Sequence, residues 1–535
     1  MIEQIIEKIF FTRKFKLKIK KAYEKLKKEK RITSIYNLKE NLNLIRKQKK
    51  KEIFDPLFEK NNIDIDLSFN QYIYAKFIKR SLFNANLMIA LSNDTKFLYP
   101  LPKIYLDKIS KIVKVNYFLS ITLFFFCISI LLVSDLFRIL FSCINYFKLK
   151  NTNSDLIYLD NQPKIIINLE EKLKNDNFYY FILKKFNFKN KVIFFHKNKE
   201  IKNFKVKDIN QFIEGIYTSN PIKPFLNLFN LYNFIKSFLF TLKFLIKCFY
   251  HNRFEMLLLL NEVFCYYQYL NLDKKYSLCL FNNSSMIYRP LWTYANNEND
   301  ENKVVLYFYS INQMPLLQEI NNEKYYDTFG FSLHSWDYYL TWSKKHEEFL
   351  DNNTKQNKKY LRVDYVPFQG EQKVLEKQKK IITIFDVPPK KEFVYKLLLN
   401  PYNIYTLEYC TNFVNDTIDI IKNLDSKKFE LILKIKRYNR YTNPTYIDFI
   451  NKISLINNVK VQKDISAESI INISDLVISL PFTSAAAVAL NKGKKTVYYD
   501  PSGKISSKNL LSEDIKIISD KEKLYDWVNK NIDVN

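Results

Sequence analysis

Residues 1–114 carry apolar positions at helical spacing between lysine runs such as Lys47 to Lys51. That pattern predicts amphipathic helices with a strongly basic face, either solvated or drawn to an anionic membrane surface. Val115 to Ser134 holds no charged residue and includes Phe124-Phe125-Phe126 and Leu131-Leu132-Val133. A run of about twenty such residues just reaches across a hydrocarbon core. Asp135 and Arg138 interrupt it, and apolar residues resume to Phe147. Both flanks are basic, so the positive-inside rule sets no orientation. A span, a re-entrant hairpin, an in-plane anchor and a buried core helix all fit the run.

The texture changes at Asp155. Short apolar runs at Lys164 to Asn168 and Val192 to His196 predict strands. Phe225 to Tyr250 is a second aromatic-rich helix in which Lys236, Lys243 and Lys247 recur. Recurring lysines suit a helix lying in a membrane interface better than one crossing it. From Tyr276 strands and helices alternate. Strands are expected at Ser277 to Phe281, Val304 to Tyr309, Tyr338 to Trp342 and Leu361 to Val366, with Arg289 on the helix after the first. Gly370 to Lys380 is charged and aperiodic, a linker. A second series follows, with strands at Ile381 to Phe385, Glu430 to Ile435 and Val459 to Gln462. Its helices are expected over Asn403 to Leu424, from near Pro444, and over Ala467 to Ile473. The expected organisation is a basic helical region (1–150, membrane segment 115–134 extending to 147), an α/β unit (151–370, in-plane helix 225–250) and a second α/β unit (376–535).

One stretch of the second series concentrates the candidate chemistry. Leu476 to Ser479 is a short buried strand, Pro481 breaks it, and Thr483 is placed to cap a helix through Ser484 to Leu490. Gly493 stops that helix, Thr496 to Tyr499 is the next strand, and Asp500-Pro-Ser-Gly503 is a turn. The free N–H groups and dipole of such a helix start suit an anion. The chain has 5 glycines, and Gly493 and Gly503 both lie here.

Composition narrows the classes. A chain of 535 residues exceeds one core, and 47% hydrophobic residues exclude a disordered protein. The net charge of +29 suits anionic partners, part of it following from heavy use of Lys alongside Asn and Ile. Six cysteines (Cys127, Cys143, Cys248, Cys265, Cys279, Cys410) and four histidines (His196, His251, His334, His346) show no metal-ligand spacing. They predict reduced thiols and no protein-held metal or cofactor. The N-terminus turns charged within three residues, so no secretory signal is expected. Without GxxxxGK[ST] or GxGxxG, an ATPase and a nicotinamide enzyme are disfavoured. Charge spread over the whole chain with no named nucleic-acid motif argues against a nucleic-acid partner.

Ile478-Ser-Leu-Pro-Phe-Thr-Ser484, followed by Tyr498-Tyr-Asp-Pro-Ser-Gly503, resembles the signature of bacterial polysaccharide-biosynthesis proteins named for a Pro-Phe-Thr-Ser motif. The resemblance covers the C-terminal half and is traced from about Tyr276. It implies an α/β fold of GT-B type, two Rossmann-like domains facing a cleft, acting as a glycosyltransferase on a surface polysaccharide. A nucleotide sugar would be the donor and a glycan or lipid-linked molecule the acceptor, at the cytoplasmic face of the inner membrane.

Ligands in open α/β sheets bind beyond the carboxyl ends of the strands. On the donor side these are Asp386, Lys436, Arg437, Pro481, Phe482, Thr483, Ser484, Asp500, Ser502 and Gly503. Lys436 and Arg437 would neutralise a pyrophosphate and the helix start hold another phosphate oxygen. Asp500 or Ser502 would meet ribose or base. On the acceptor side lie Asn282, Asn283, Ser284, Arg289 and Asn312. Asp386 is the candidate base, with Asp337 and Glu371 as alternatives. A glycerol-phosphate-type transferase or nucleotide-sugar epimerase on the same fold, or a non-catalytic basic scaffold, remain as other readings.

Overall fold

A computed structural model describes residues 13–29, 31–43, 54–58, 63–93, 95–142, 154–159, 181–182, 184–188, 191–196, 204–206, 211–217, 231–272, 275–282, 287–298, 302–308, 310, 330–354, 358–363, 365, 376–398, 404–422, 424–425, 427–436, 438–506, 509 and 512–532. The expected strand at Lys164 to Asn168 lies outside them.

Two sheets organise the chain. The first comprises β1 (Ser154–Leu159), β2 (Lys191–His196), β3 (Phe204–Val206), β4 (Gln211–Tyr217), β5 (Leu278–Asn282), β6 (Lys303–Tyr307), β7 (Tyr338–Thr341) and β8 (Lys359–Arg362). Their order is β3-β4-β2-β1-β5-β6-β7-β8, parallel except for β3 against β4. The second comprises β9 (Lys380–Phe385), β10 (Phe429–Lys434), β11 (Val459–Gln462), β12 (Leu476–Ser479), β13 (Lys495–Tyr499) and β14 (Ile517–Ile518). Its order is β11-β10-β9-β12-β13-β14, parallel throughout. Strand order thus reverses between β9 and β12, the switch point at which doubly wound sheets open a crevice.

The central strands are mostly apolar because both of their faces are buried. β12 is buried at every position, and β9 at all but its first. Side chains set several helix starts: Asn443 Oδ1 accepts from Thr445 N at 3.0 Å with Pro444 in the first turn, and Ser466 Oγ from Ser469 N at 3.1 Å. Gly493 ends the helix Ser484–Asn491 at φ +70°.

The N-terminal helices are not merely a solvated basic arm. In Arg13–Lys28 a stripe of Ile19, Ala22 and Leu26 is buried while lysines cover the rest. Further along, the helical region touches both sheet units. Gln71 donates to Leu333 O at 2.5 Å and Ser335 Oγ at 2.7 Å, and accepts from Arg289 N at 3.2 Å. Arg253 pairs with Asp66 at 2.8 Å. Toward the second sheet, Asn84 donates to Leu397 O at 2.9 Å and Lys396 meets Glu24 at 2.6 Å. Between Gln71 and Asn84 the chain makes a π turn, Tyr74–Ile78.

Candidate active site

The switch point joins the loops that follow β9 and β12. The β12 loop turns tightly: Thr483 N donates to Leu480 O at 3.3 Å, and Phe482 sits at φ +64°. A bulky residue in that left-handed region is an outlier. Phe482 is held there by full burial of its ring edge-on to Tyr498, at 5.6 Å. Tyr405, itself at φ +60°, donates to Pro481 O at 2.6 Å. Two strained residues therefore brace one turn, and such strain concentrates where function over-determines the backbone.

The helix Ser484–Asn491 starts as the sequence predicts, with Thr483 at its cap position. The expected capping bond is absent. Thr483 O, not its hydroxyl, accepts from Ala486 N at 3.1 Å, and Tyr498 Oη donates to the same carbonyl at 3.3 Å. With the carbonyl closing the first turn, Thr483 Oγ1 is left buried without a partner, on a residue only 8% exposed. Ser479 Oγ, at the end of β12, is likewise buried and unpartnered. A buried hydroxyl without a partner costs about 1–3 kcal/mol. Ser484 Oγ meets Ser310 Oγ at 2.8 Å, a bond from the far side of the cleft, because Ser310 follows β6 of the first sheet.

The β9 loop corrects one expectation. Asp386 does not face the cleft as a free base. It is 4% exposed, one carboxylate oxygen accepts from Tyr446 Oη at 2.7 Å and the other from Lys436 N at 3.3 Å. Burial pushes its pKa up to about 6, while the bonds from Tyr446 and Lys436 pull it back. It ties the β9 and β10 loops and is best read as a positioning residue.

Lys436 itself is exposed beyond β10, and Arg437 lies outside the described residues. Lys390, which sequence reasoning missed, lies half-buried on the same loop as Asp386. Burial first and the neighbouring Lys436 ammonium second hold its pKa below the ordinary lysine value. The two like charges repel, and an anion nearby would relieve both. The signal was its place in the Asp386 to Lys390 loop, five residues past a strand end.

Asp500 and Ser502 are committed elsewhere. Asp500 Oδ1 accepts from Ser502 N at 3.0 Å and Ser502 Oγ at 2.7 Å, and Oδ2 from Ile505 N at 2.9 Å. These bonds close the Asp-Pro-Ser-Gly turn on itself, with Gly503 at φ +64°. A ribose or base contact through Asp500 would have to displace one of these bonds, whereas Ser502 stays partly exposed.

On the acceptor side, Arg289 is also corrected. It precedes the 3-10 helix Leu291–Glu298, is fully buried, and stacks on Tyr294 at 3.9 Å. It donates to Thr293 Oγ1 at 3.1 Å and Ser335 O at 2.7 Å, and pairs with Asp337 at 2.7 Å. It holds the first sheet unit together. Asn282 ends β5 buried, with Nδ2 3.4 Å from Tyr307 Oη. Asn283, Ser284 and Asn312 lie outside the described residues, as does Glu371. A hollow lined by Glu376, Lys379, Glu430 and Lys460 lies at the opposite, amino-terminal ends of β9 and β10.

The family model of polysaccharide biosynthesis PFTS motif proteins matches residues 240–528. No match was found among curated proteins. Similar solved structures include the α,α-trehalose 6-phosphate synthase of Burkholderia multivorans, at 8% identity and a TM-score of 0.40, covering 71% of this chain and 91% of that one. The spinosyn rhamnosyltransferase SpnG, complexed with thymidine diphosphate, matches at 10% identity and a TM-score of 0.33, covering 71% and 91%. The wall teichoic acid polymerase TagF matches at 12% identity and a TM-score of 0.36, covering 75% and 87%.

Proposed function

Since the chain belongs to the PFTS-motif family of polysaccharide-biosynthesis proteins, we propose that it is a GT-B glycosyltransferase whose donor phosphates bind at the β9–β12 switch point. The donor is a nucleotide sugar. The acceptor is a glycan or lipid-linked molecule on the way to a bacterial surface polysaccharide, and the work is done at the cytoplasmic face of the inner membrane. The observation that carries this reading is the buried, unpartnered Thr483 hydroxyl at a helix start, in the turn that spells the family motif.

In this reading Thr483 Oγ1 and the first N–H groups of the helix bind a phosphate oxygen. Lys390 and Lys436 balance the charge that builds on the phosphate of the leaving nucleotide as its bond to the sugar breaks, a role that a metal plays in other transferases. Asp386 keeps the Lys436 backbone in place through its bond to the amide. Ser310 Oγ reaches the helix start from the acceptor side through its 2.8 Å bond to Ser484 Oγ.

Thr483→Val tests the assignment. It preserves shape and removes only the hydroxyl, so the melting temperature should hold or rise slightly. Affinity for the cognate donor, found by thermal shift over UDP-, GDP-, CMP- and CDP-linked ligands, should fall roughly 10- to 100-fold, the scale of a hydrogen bond to a charged group. Normal donor affinity in a folded Thr483→Val protein would overturn the site. A panel including CDP-glycerol separates sugar transfer from glycerol-phosphate transfer.

A further inference from the structure

Two helices carry apolar faces that none of the described residues covers. In Tyr117–Ser142 the buried positions are Ser120, Phe124, Ile128, Asp135 and Ile139, one stripe running nearly end to end. The opposite arc exposes Phe118 (79%), Phe126 (62%) and Leu140 (56%), with Ile130, Val133 and Phe137 between them. Two outward hydroxyls leave the arc apolar: Thr122 Oγ1 donates to Phe118 O at 2.8 Å and Ser129 Oγ to Phe125 O at 3.0 Å. Asp135 turns to the buried side, with Arg138 3.3 Å away.

Leu231–Tyr250 repeats the arrangement. Ser237, Thr241, Phe244 and Cys248 are buried. Tyr232, Ile235, Leu239, Leu242, Ile246 and Phe249 face out at helical spacing. Lys236, Lys243 and Lys247 form a third stripe along the border of that face, and the helix contains no acidic residue. Lys236 Nζ lies 4.1 Å from the centre of the Tyr232 ring. The two faces meet at Phe254, whose ring packs edge-on against Phe125 at 6.5 Å and Phe249 at 5.2 Å.

We infer that these helices form one composite face that docks on an anionic bilayer and lies in its plane. The inference rests on the reading that the chain works at a membrane and is independent of its chemistry. The helix Tyr117–Ser142 is about 39 Å long, enough to span. Yet its inner stripe is bound to the folded body from Ser120 to Ile139, so crossing would drag that body, with Asp135, into hydrocarbon. Lying flat, the outward arcs sink to the headgroup boundary while the lysines snorkel to the phosphates. A second copy fits the face less well, because its lysine stripe would be brought against a like one.

The purified full-length protein is floated with phosphatidylcholine vesicles and with vesicles containing phosphatidylglycerol, at low and high salt. Flotation should require the anionic lipid and weaken with salt. Phe126→Glu with Leu239→Glu, both at exposed positions, should keep the melting temperature and reduce flotation at least tenfold. Fluorophores are then placed at Phe118→Cys, Ile130→Cys and Leu140→Cys, in a background with Cys127→Ser and Cys143→Ser. Lipid-borne quenchers at known depth should report one shallow depth for all three. Strongest quenching of the Ile130 probe from the bilayer centre, with both ends shallow, would show a span and overturn the in-plane geometry while leaving the membrane reading intact. Failure to float under every condition would overturn the membrane reading itself, and a doubled mass in solution would then assign the face to a second copy. Donor binding is unaffected by either result.

Discussion

Phe482 holds a backbone conformation that costs a residue with a Cβ about 1–2 kcal/mol, and burial of its ring against Tyr498 offsets that cost. Phe482→Ala keeps the strain and loses the ring, and should destabilise by about 3–5 kcal/mol. Phe482→Gly should come out about 1 kcal/mol more stable than the Ala variant, the reverse of the usual order. Urea melts of the pair decide, and an Ala variant at least as stable as the Gly one would show an unstrained turn.

Asp386 makes a pH prediction. Its folded pKa of about 6 lies above the usual 3.8, so between those values the folded chain holds a proton that the unfolded chain has released. Its contribution to stability is complete below the lower value and is lost as pH rises through the upper one. Burial acts the other way on His334 and His346, both lowered from 6.5 to about 3, so their contribution is present above 6.5 and lost as pH falls. The difference between wild type and Asp386→Asn isolates the first effect: the variant should lack the decline between about pH 4 and 6, and a difference curve flat in pH would remove the buried ionisation. Residue types at strand ends made the crevice legible in the sequence. Which side chains were already engaged was not, because Thr483 depends on a rotamer and Arg289 on partners such as Ser335 and Asp337 far along the chain.

Among elements, the apolar runs of the second sheet were readable nearly to the residue. Val459–Gln462, Leu476–Ser479 and the helix from Ser484 stand where the pattern puts them. β4 was not read, because Glu214 and Gly215 interrupt its run, and β1 offers only Leu156 to Leu159 between acidic neighbours. Neither leaves a local trace of its place beside β2. The 3-10 helix Leu291–Glu298 hangs on Arg289, and that gives an element-scale test. Arg289→Ala should cost about 3 kcal/mol, the lower end of the range for breaking a buried pair, since Asp337 remains partly open to water. A lowered melting temperature with unchanged acceptor KM in the surviving folded fraction is expected. A selective rise in KM would return Arg289 to the cleft.

At the scale of the molecule, the helical region is part of the fold and not a detachable anchor. Gln71, Asp66, Asn84 and Glu24 bind it to both sheet units. Deleting residues 1–142 should leave a chain without a cooperative thermal transition by circular dichroism, and a truncated protein melting like the whole would refute that integration. Such contacts join residues hundreds of positions apart, so periodicity shows that helices exist and is silent on what they grip. The double grip also restricts motion. Three further contacts run directly between the sheet units: Lys345 meets Asp514 at 2.5 Å, Tyr365 donates to Glu468 at 3.2 Å, and Ser310 meets Ser484 at 2.8 Å. Parting the sheets at the switch point therefore means breaking polar contacts as well as apolar ones, and salt, which screens the exposed Lys345–Asp514 pair, lowers that threshold.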